Sequence, residues 1–157
     1  MDYSVQEIQE KVHISLGVLF KSDSFLLEAG VHERSIAHKL AEYLQDEFPD
    51  WNVDCEYNKK GRDNKILDGI RECSEQKKTD KIYPDIIVHI RNKNKNLLVI
   101  EIKTNNQNDP CDIKKLELLT EPEHGYEYTL GLYVRFNRLN NPVLEWFKDG
   151  QKYEATA

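Results

Sequence analysis

The sequence is poor in sulfur: 157 residues contain three cysteines and one methionine. Cys55, Cys73 and Cys111 are far apart, odd in number and form no C-x-x-C pair. This argues against a structural zinc site and a disulfide framework, so three free packing or surface thiols in a reducing cytoplasm are expected. No apolar run approaches the ~20 residues that span a bilayer, and no membrane segment is expected. The opening stretch, MDYSVQEIQEKVHISLGVLF, carries acids and no basic n-region, unlike a secretory signal. There is no G-x-G-x-x-G, no Walker loop and no G-x-S-x-G. That weakens a sugar or nucleotide enzyme of the general α/β kind. Internal repeats and low-complexity segments are also missing.

What remains is an ordinary globular composition, 39% hydrophobic and 32% charged, of a length that suits one compact domain over residues 1–157. The net charge of −6 argues against a non-specific nucleic-acid binder, because phosphate contacts dominate that affinity. The charge is uneven, however. Residues 58–103 hold 12 Lys/Arg against 7 Asp/Glu, a net of +5. A local field matters more to a polyanionic ligand than the total does. Lys59, Lys60, Arg62, Lys65, Arg91, Lys93 and Lys95 would track a phosphate backbone, or simply solvate loops.

Hydrophobic periodicity predicts a helix over residues 3–20, with Val5, Ile8, Val12, Leu16 and Leu19 at helical spacing, and a break at Gly30. A second helix carries the stripe Ile36, Ala37, Leu40, Leu44 and Phe48 and ends at Pro49. Glu33 precedes that stripe by three, four and seven residues. It therefore shares the buried face, or stands as a first-turn charge with one edge wet. WNVDCEYN alternates as a half-buried strand, with Val53, Cys55 and Tyr57 on one side. A polar basic loop follows, with a short helix near Ile66–Arg71. YPDIIVHI and LLVIEIKT, joined by RNKNKN, read as central strands, apolar on both faces. CDIKKLELLTEP is a helix with Ile113, Leu116 and either Leu119 or Thr120 inward. YEYTLGLYVRF is a fourth strand, and PVLEWFKDGQKY is a tail packing Trp146 and Phe147 on the body. Helix, three strands, helix, strand makes an α/β fold with a mixed central sheet.

Three charges interrupt the two most apolar strands. In LVIEIK, Val99, Glu101 and Lys103 share one face, and Leu98, Ile100 and Ile102 the other. Unpaired buried charge is costly, so two charges on one face of a central strand need a reason. The connection 91–96 is short enough for an antiparallel pair, which sets Asp85 beside Glu101 and Lys103. Two carboxylates suit Mg²⁺ or Mn²⁺, which activates water and neutralises charge on a phosphoryl oxygen. Lys103 would orient or activate the attacking water, or neutralise the developing charge. Glu33 would add a third carboxylate through a water. Taken singly, Glu101–Lys103 is a surface ion pair and Asp85 a turn residue after proline.

Pro84-Asp85, followed by Glu101-Ile102-Lys103, resembles the PD-(D/E)XK nuclease superfamily, as does the element order over residues 30–136. The wider pattern, EYN, YPDIIVHIR, NLLVIEIKT and D-x-x-K-L, is similar to small stand-alone bacterial members. The resemblance implies a restriction-endonuclease-like core with helices on both faces and metal-dependent hydrolysis of nucleic acid, DNA before RNA. It implies Asp85 and Glu101 as metal ligands with the Ile102 carbonyl, Lys103 as the catalytic lysine and Glu33 as the accessory acid. A double-strand cut needs two sites, so a homodimer fits this reading. The competing reading is the same fold without catalysis, a subunit that binds a protein partner in a larger assembly. His32, His38, His89 and His124 lack ligand spacing, and His89 reads as a strand residue facing a polar neighbour. Asn105 and Gln107 read as polar loop; Tyr83, Tyr126, Tyr128 and Tyr133 read as core packing before base stacking.

Overall fold

The computed structural model describes residues 2–57, 59–60, 63–64, 82–104 and 109–154, with residues 59–60, 63–64 and 124 described by their backbone alone. The expected helix near Ile66–Arg71, the side chains of Lys59, Lys60, Arg62 and Lys65, and Asn105 and Gln107 lie outside the described residues.

Helix α1 (Val5–Ser22) begins at a capping box: Glu7 N–H donates to Ser4 Oγ, and Ser4 N–H to the Glu7 carboxylate at 2.7 Å. A short α2 (Ser24–Glu28) ends before Gly30, whose φ of +65° favours glycine. Helix α3 (Glu33–Glu47) buries the expected stripe of Ile36, Ala37, Leu40 and Leu44, and Phe48 follows as its buried C-cap. Strand β1 (Asn52–Cys55) comes next, then a hairpin of β2 (Lys59–Lys60) and β3 (Asp63–Asn64) inside the segment expected to be loop. Strands β4 (Ile86–Ile90) and β5 (Lys95–Lys103) are the apolar pair. Helix α4 (Pro110–Thr120), β6 (Leu130–Asn137), β7 (Asn140–Lys148) and β8 (Gln151–Tyr153) complete the chain.

Six strands form one mixed sheet in the order β1-β4-β5-β6-β7-β8. Only β5 and β6 run parallel, with α4 as their crossover. The expected C-terminal tail is corrected: it is two more strands of the sheet. Asp149 and Gly150 both have positive φ, 52° and 82°, which is the two-residue turn that closes a twisted hairpin. β1 also departs from clean alternation, because Cys55 is exposed although Val53 is half-buried.

The sheet separates two cores. Ile86, Val88, Leu98, Ile100, Ile102, Leu132 and Val134 pack with α1 and α3. Ile87, Val99, Tyr133 and Phe147 pack with Leu116 and Leu119 of α4. Helices therefore cover both faces. Each buried aliphatic side chain contributes about 1.5–3 kcal/mol, so the apolar alternation of β5 is what fixes its register. The seat of α4 depends on Gly131, where an added Cβ would lie 3.2 Å from Thr120 Cγ2 and 3.4 Å from Leu116 Cδ2. Gly131→Val is expected to destabilise by about 2 kcal/mol in urea unfolding, by pushing α4 off β6. No described helix is long and apolar enough to cross a membrane.

Candidate metal and phosphodiester site

Asp85 immediately precedes β4, and Ile86 pairs with Ile100 on β5. Extending that antiparallel register by one residue sets Asp85 opposite Glu101, as the sequence predicts. Alternation then places Asp85, Glu101 and Lys103 on the α4 face, at the end of the sheet where β5 leads into α4. Asp85 is fixed by the Ile102 N–H, which donates to its Oδ2 at 2.7 Å. So Ile102 contributes its N–H to the position of Asp85, while its side chain packs into the opposite core.

Burial pushes the Glu101 carboxyl well above its ordinary 4.5, and Asp85 adds to this; Lys115 pulls the other way. Burial also raises Asp85, against the hydrogen bonds from Ile102 and Glu101. The two carboxyls lie within hydrogen-bonding reach of each other. Glu101 Oε1 is buried and has no aligned hydrogen bond. Its contact is with Lys115 Nζ, an ion pair at 3.2 Å.

Glu33 reaches the same end of the sheet from the first turn of α3. Its carboxylate accepts from the Thr104 N–H, and its Oε2 is buried without a hydrogen bond. Burial raises it, Lys103 lowers it and Asp85 raises it again. All four predicted site residues, Asp85, Glu101, Lys103 and Glu33, thus meet at one end of the sheet.

Lys103 does not turn to Glu101. Its Nζ lies 3.4 Å from Asp109 Oδ2 and 3.3 Å from Asp112 Oδ2. Burial opposes its charge, but Asp112 and Glu33 outweigh that and raise its pKa further. A lysine so held stays cationic at neutral pH. It is suited to orienting an anion or a water and unsuited to accepting a proton.

Helix α4 brings two more charged residues to the site. Asp112 is buried, and Lys115 Nζ lies 3.2 Å from both Glu101 Oε1 and Asp112 Oδ1. The available signal was their i, i+3 spacing on the stripe that carries Leu116 and Leu119; a charged pair on a buried helix face points at something. Ile113, expected inward, is only half-buried. Asp109 anchors the start of α4: its Oδ1 accepts from Cys111 N–H at 2.9 Å, and its own N–H donates to Tyr133 Oη at 3.0 Å. Cys111 is disulfide-bonded, which corrects the expectation of three free thiols and removes the cysteine argument for a reducing compartment.

A second polar cluster lies at the β1 edge. His89 is 3% exposed, and its Nε2 is 2.7 Å from Asp54 Oδ2. Arg91 grips both oxygens of the same carboxylate, and the Tyr57 ring meets the imidazole edge-on at 4.6 Å. Burial pushes Asp54 up, but the hydrogen bonds from His89 and Arg91 prevail and hold it at about 2. His89 therefore faces a polar neighbour, as expected, away from the carboxylate pair.

Among the described residues, no group of three or more His, Cys, Asp or Glu side chains is arranged as a metal centre. The pair Asp85 and Glu101 nevertheless fits a hard divalent cation. Both donors are carboxylates, one oxygen is buried without a hydrogen bond, and burial loads both groups against ionising, with Asp85 adding to this at Glu101. Comparisons with protein-family models, with curated proteins and with solved structures find no match to this chain.

Proposed function

We propose that this chain is a metal-dependent phosphodiesterase of the PD-(D/E)XK type acting on nucleic acid, DNA before RNA. The observation that carries the reading is the register that sets Asp85 against the buried Glu101 as a carboxyl pair beside two lysines. The chain order α3, β1, β4, β5, α4, β6 supports a restriction-endonuclease-like core, with β7 and β8 extending its sheet.

Asp85 and Glu101 would hold Mg²⁺ or Mn²⁺, with the Ile102 carbonyl, and Glu33 through a water. When bound, the ion supplies an activated water and charge neutralisation at phosphorus. Lys103, kept cationic by Asp112 and Glu33, orients the water or the scissile phosphate and offsets the developing negative charge. Asp109 and Asp112 set where that ammonium sits. A self-associated form would supply two such sites for a double-strand cut.

The test is incubation of plasmid DNA, single-stranded DNA and RNA with the chain and Mg²⁺ or Mn²⁺. Expected is metal-dependent cleavage by the wild type, lost in Asp85→Ala and Lys103→Met. No cleavage of any of the three substrates would overturn the catalytic reading.

One observation favours a silent module instead: the charges of Lys103 and Lys115 are each already matched by two carboxylates within the fold. In that case the wild type cuts nothing, and a protein partner that co-purifies with it is retained by Lys103→Met.

A further inference from the structure

We propose that Lys115 is the resident cation of the Asp85–Glu101 pair, and that a divalent ion enters by displacing its ammonium toward Asp112. This rests on the metal site proposed above and assigns Lys115 a role in it.

The two lysines divide the carboxylates between them. Lys103 pairs with Asp109 and Asp112, and it acts electrostatically on Glu33. Lys115 pairs with Glu101 and Asp112, and it acts on both Asp85 and Glu101. The lysine of the E-I-K motif thus serves the outer acids, and the helix lysine serves the inner pair. Lys115 is mostly buried, with 17% of its side chain exposed, and Glu101 retains 3%.

The ammonium, 3.2 Å from Glu101 Oε1, stands where a divalent ion would meet that oxygen. Asp112 offers the place to go. Its Oδ1 already lies 3.2 Å from Lys115 Nζ, and its Oδ2 faces Lys103. A flexible four-carbon stem can shift its charge from Glu101 onto Asp112 without crossing solvent. A divalent ion bound to Glu101 would repel an ammonium in contact with the same carboxylate. Lys115 is accordingly a positioning residue: it balances the inner carboxylates until metal arrives, and in doing so weakens metal binding.

The experiment is calorimetric titration of Mn²⁺ into the full chain at one mildly alkaline pH and fixed ionic strength. Wild type, Lys115→Met, Lys115→Arg and Lys115→Gln are compared, with circular dichroism to establish folding. A charge at this range changes the affinity of a carboxylate for a proton by about ten- to a thousandfold, and a divalent ion feels the same potential. Lys115→Met is expected to bind Mn²⁺ about tenfold tighter or more. Lys115→Arg, which keeps the charge, is expected to stay within about twofold of wild type. Should Lys115→Met fail to fold, Lys115→Gln is expected to show the same tightening.

Binding by wild type with unchanged affinity in the neutral variants would overturn the displacement and leave the metal site standing. Equal tightening in Lys115→Arg and Lys115→Met would also overturn it, because packing and not charge would then be the cause. No binding by wild type or by any variant would overturn the metal site itself. Binding in the neutral variants alone would support the displacement in its strongest form.

Discussion

Glu101→Gln is expected to lower phosphodiester cleavage about a hundred- to a thousandfold and, at neutral pH, to raise the thermal midpoint. Both effects have one origin. Burial and the neighbouring Asp85 disfavour the ionised Glu101 carboxylate in the folded chain. An acid whose folded pKa is raised costs nothing below its ordinary 4.5, and its cost grows as pH rises toward the folded value. The Glu101 contribution to wild-type stability should therefore fall as pH rises above 4.5. In Glu101→Gln that contribution to the slope is removed. The amide keeps the size of the side chain and can donate a hydrogen bond to Asp85, so packing is preserved. It cannot supply an anionic oxygen to a metal. Melting curves across a pH series, with and without Mn²⁺, check both halves: added metal should stabilise wild type above pH 4.5 and leave Glu101→Gln unmoved. A midpoint well below wild type would mean that the Glu101–Lys115 ion pair contributes more to the fold than burial of the carboxylate costs.

Asp54→Ala is expected to cost about 2–3 kcal/mol, the largest stability loss assigned here to one polar group. It leaves a 3% exposed His89 without its carboxylate and releases Arg91. The sign with pH is opposite to that of Glu101. The folded value of Asp54, about 2, lies below its ordinary 3.8. Its contribution is complete above 3.8 and is lost as pH falls through about 2. Urea unfolding of wild type and variant should converge over that acid range, while cleavage by Asp54→Ala below its melting temperature stays near the wild-type rate. A large loss of cleavage in the folded variant would move the β1 edge into the site.

Much of this was readable from periodicity. The Ile36-to-Phe48 stripe identified α3. The alternation of β5 fixed which face carries Glu101 and Lys103, because shifting that strand by one residue would bury the wrong set. The short link between β4 and β5 then brought Asp85 to the pair. The shortfalls also have physical reasons. β7 is half-exposed along most of its length, so its apolar pattern is weak, and the Asp149-Gly150 turn was its only strong marker. Asp112 and Lys115 were not picked out, because their i, i+3 spacing on the Leu116–Leu119 stripe does not say which strand residue the N-terminal half of α4 faces. The direction of Lys103 was equally hidden, since Asp109 and Asp112 reach it only through the β5–α4 connection.

The most direct test of the site is calorimetric titration of Mn²⁺ and Mg²⁺ into wild type and Asp85→Ala. Expected is a saturable isotherm in wild type, tightening as pH rises because the raised Glu101 carboxyl is more fully ionised there, and none in Asp85→Ala. No isotherm in wild type, or the same one in both proteins, would contradict a metal site at Asp85 and Glu101.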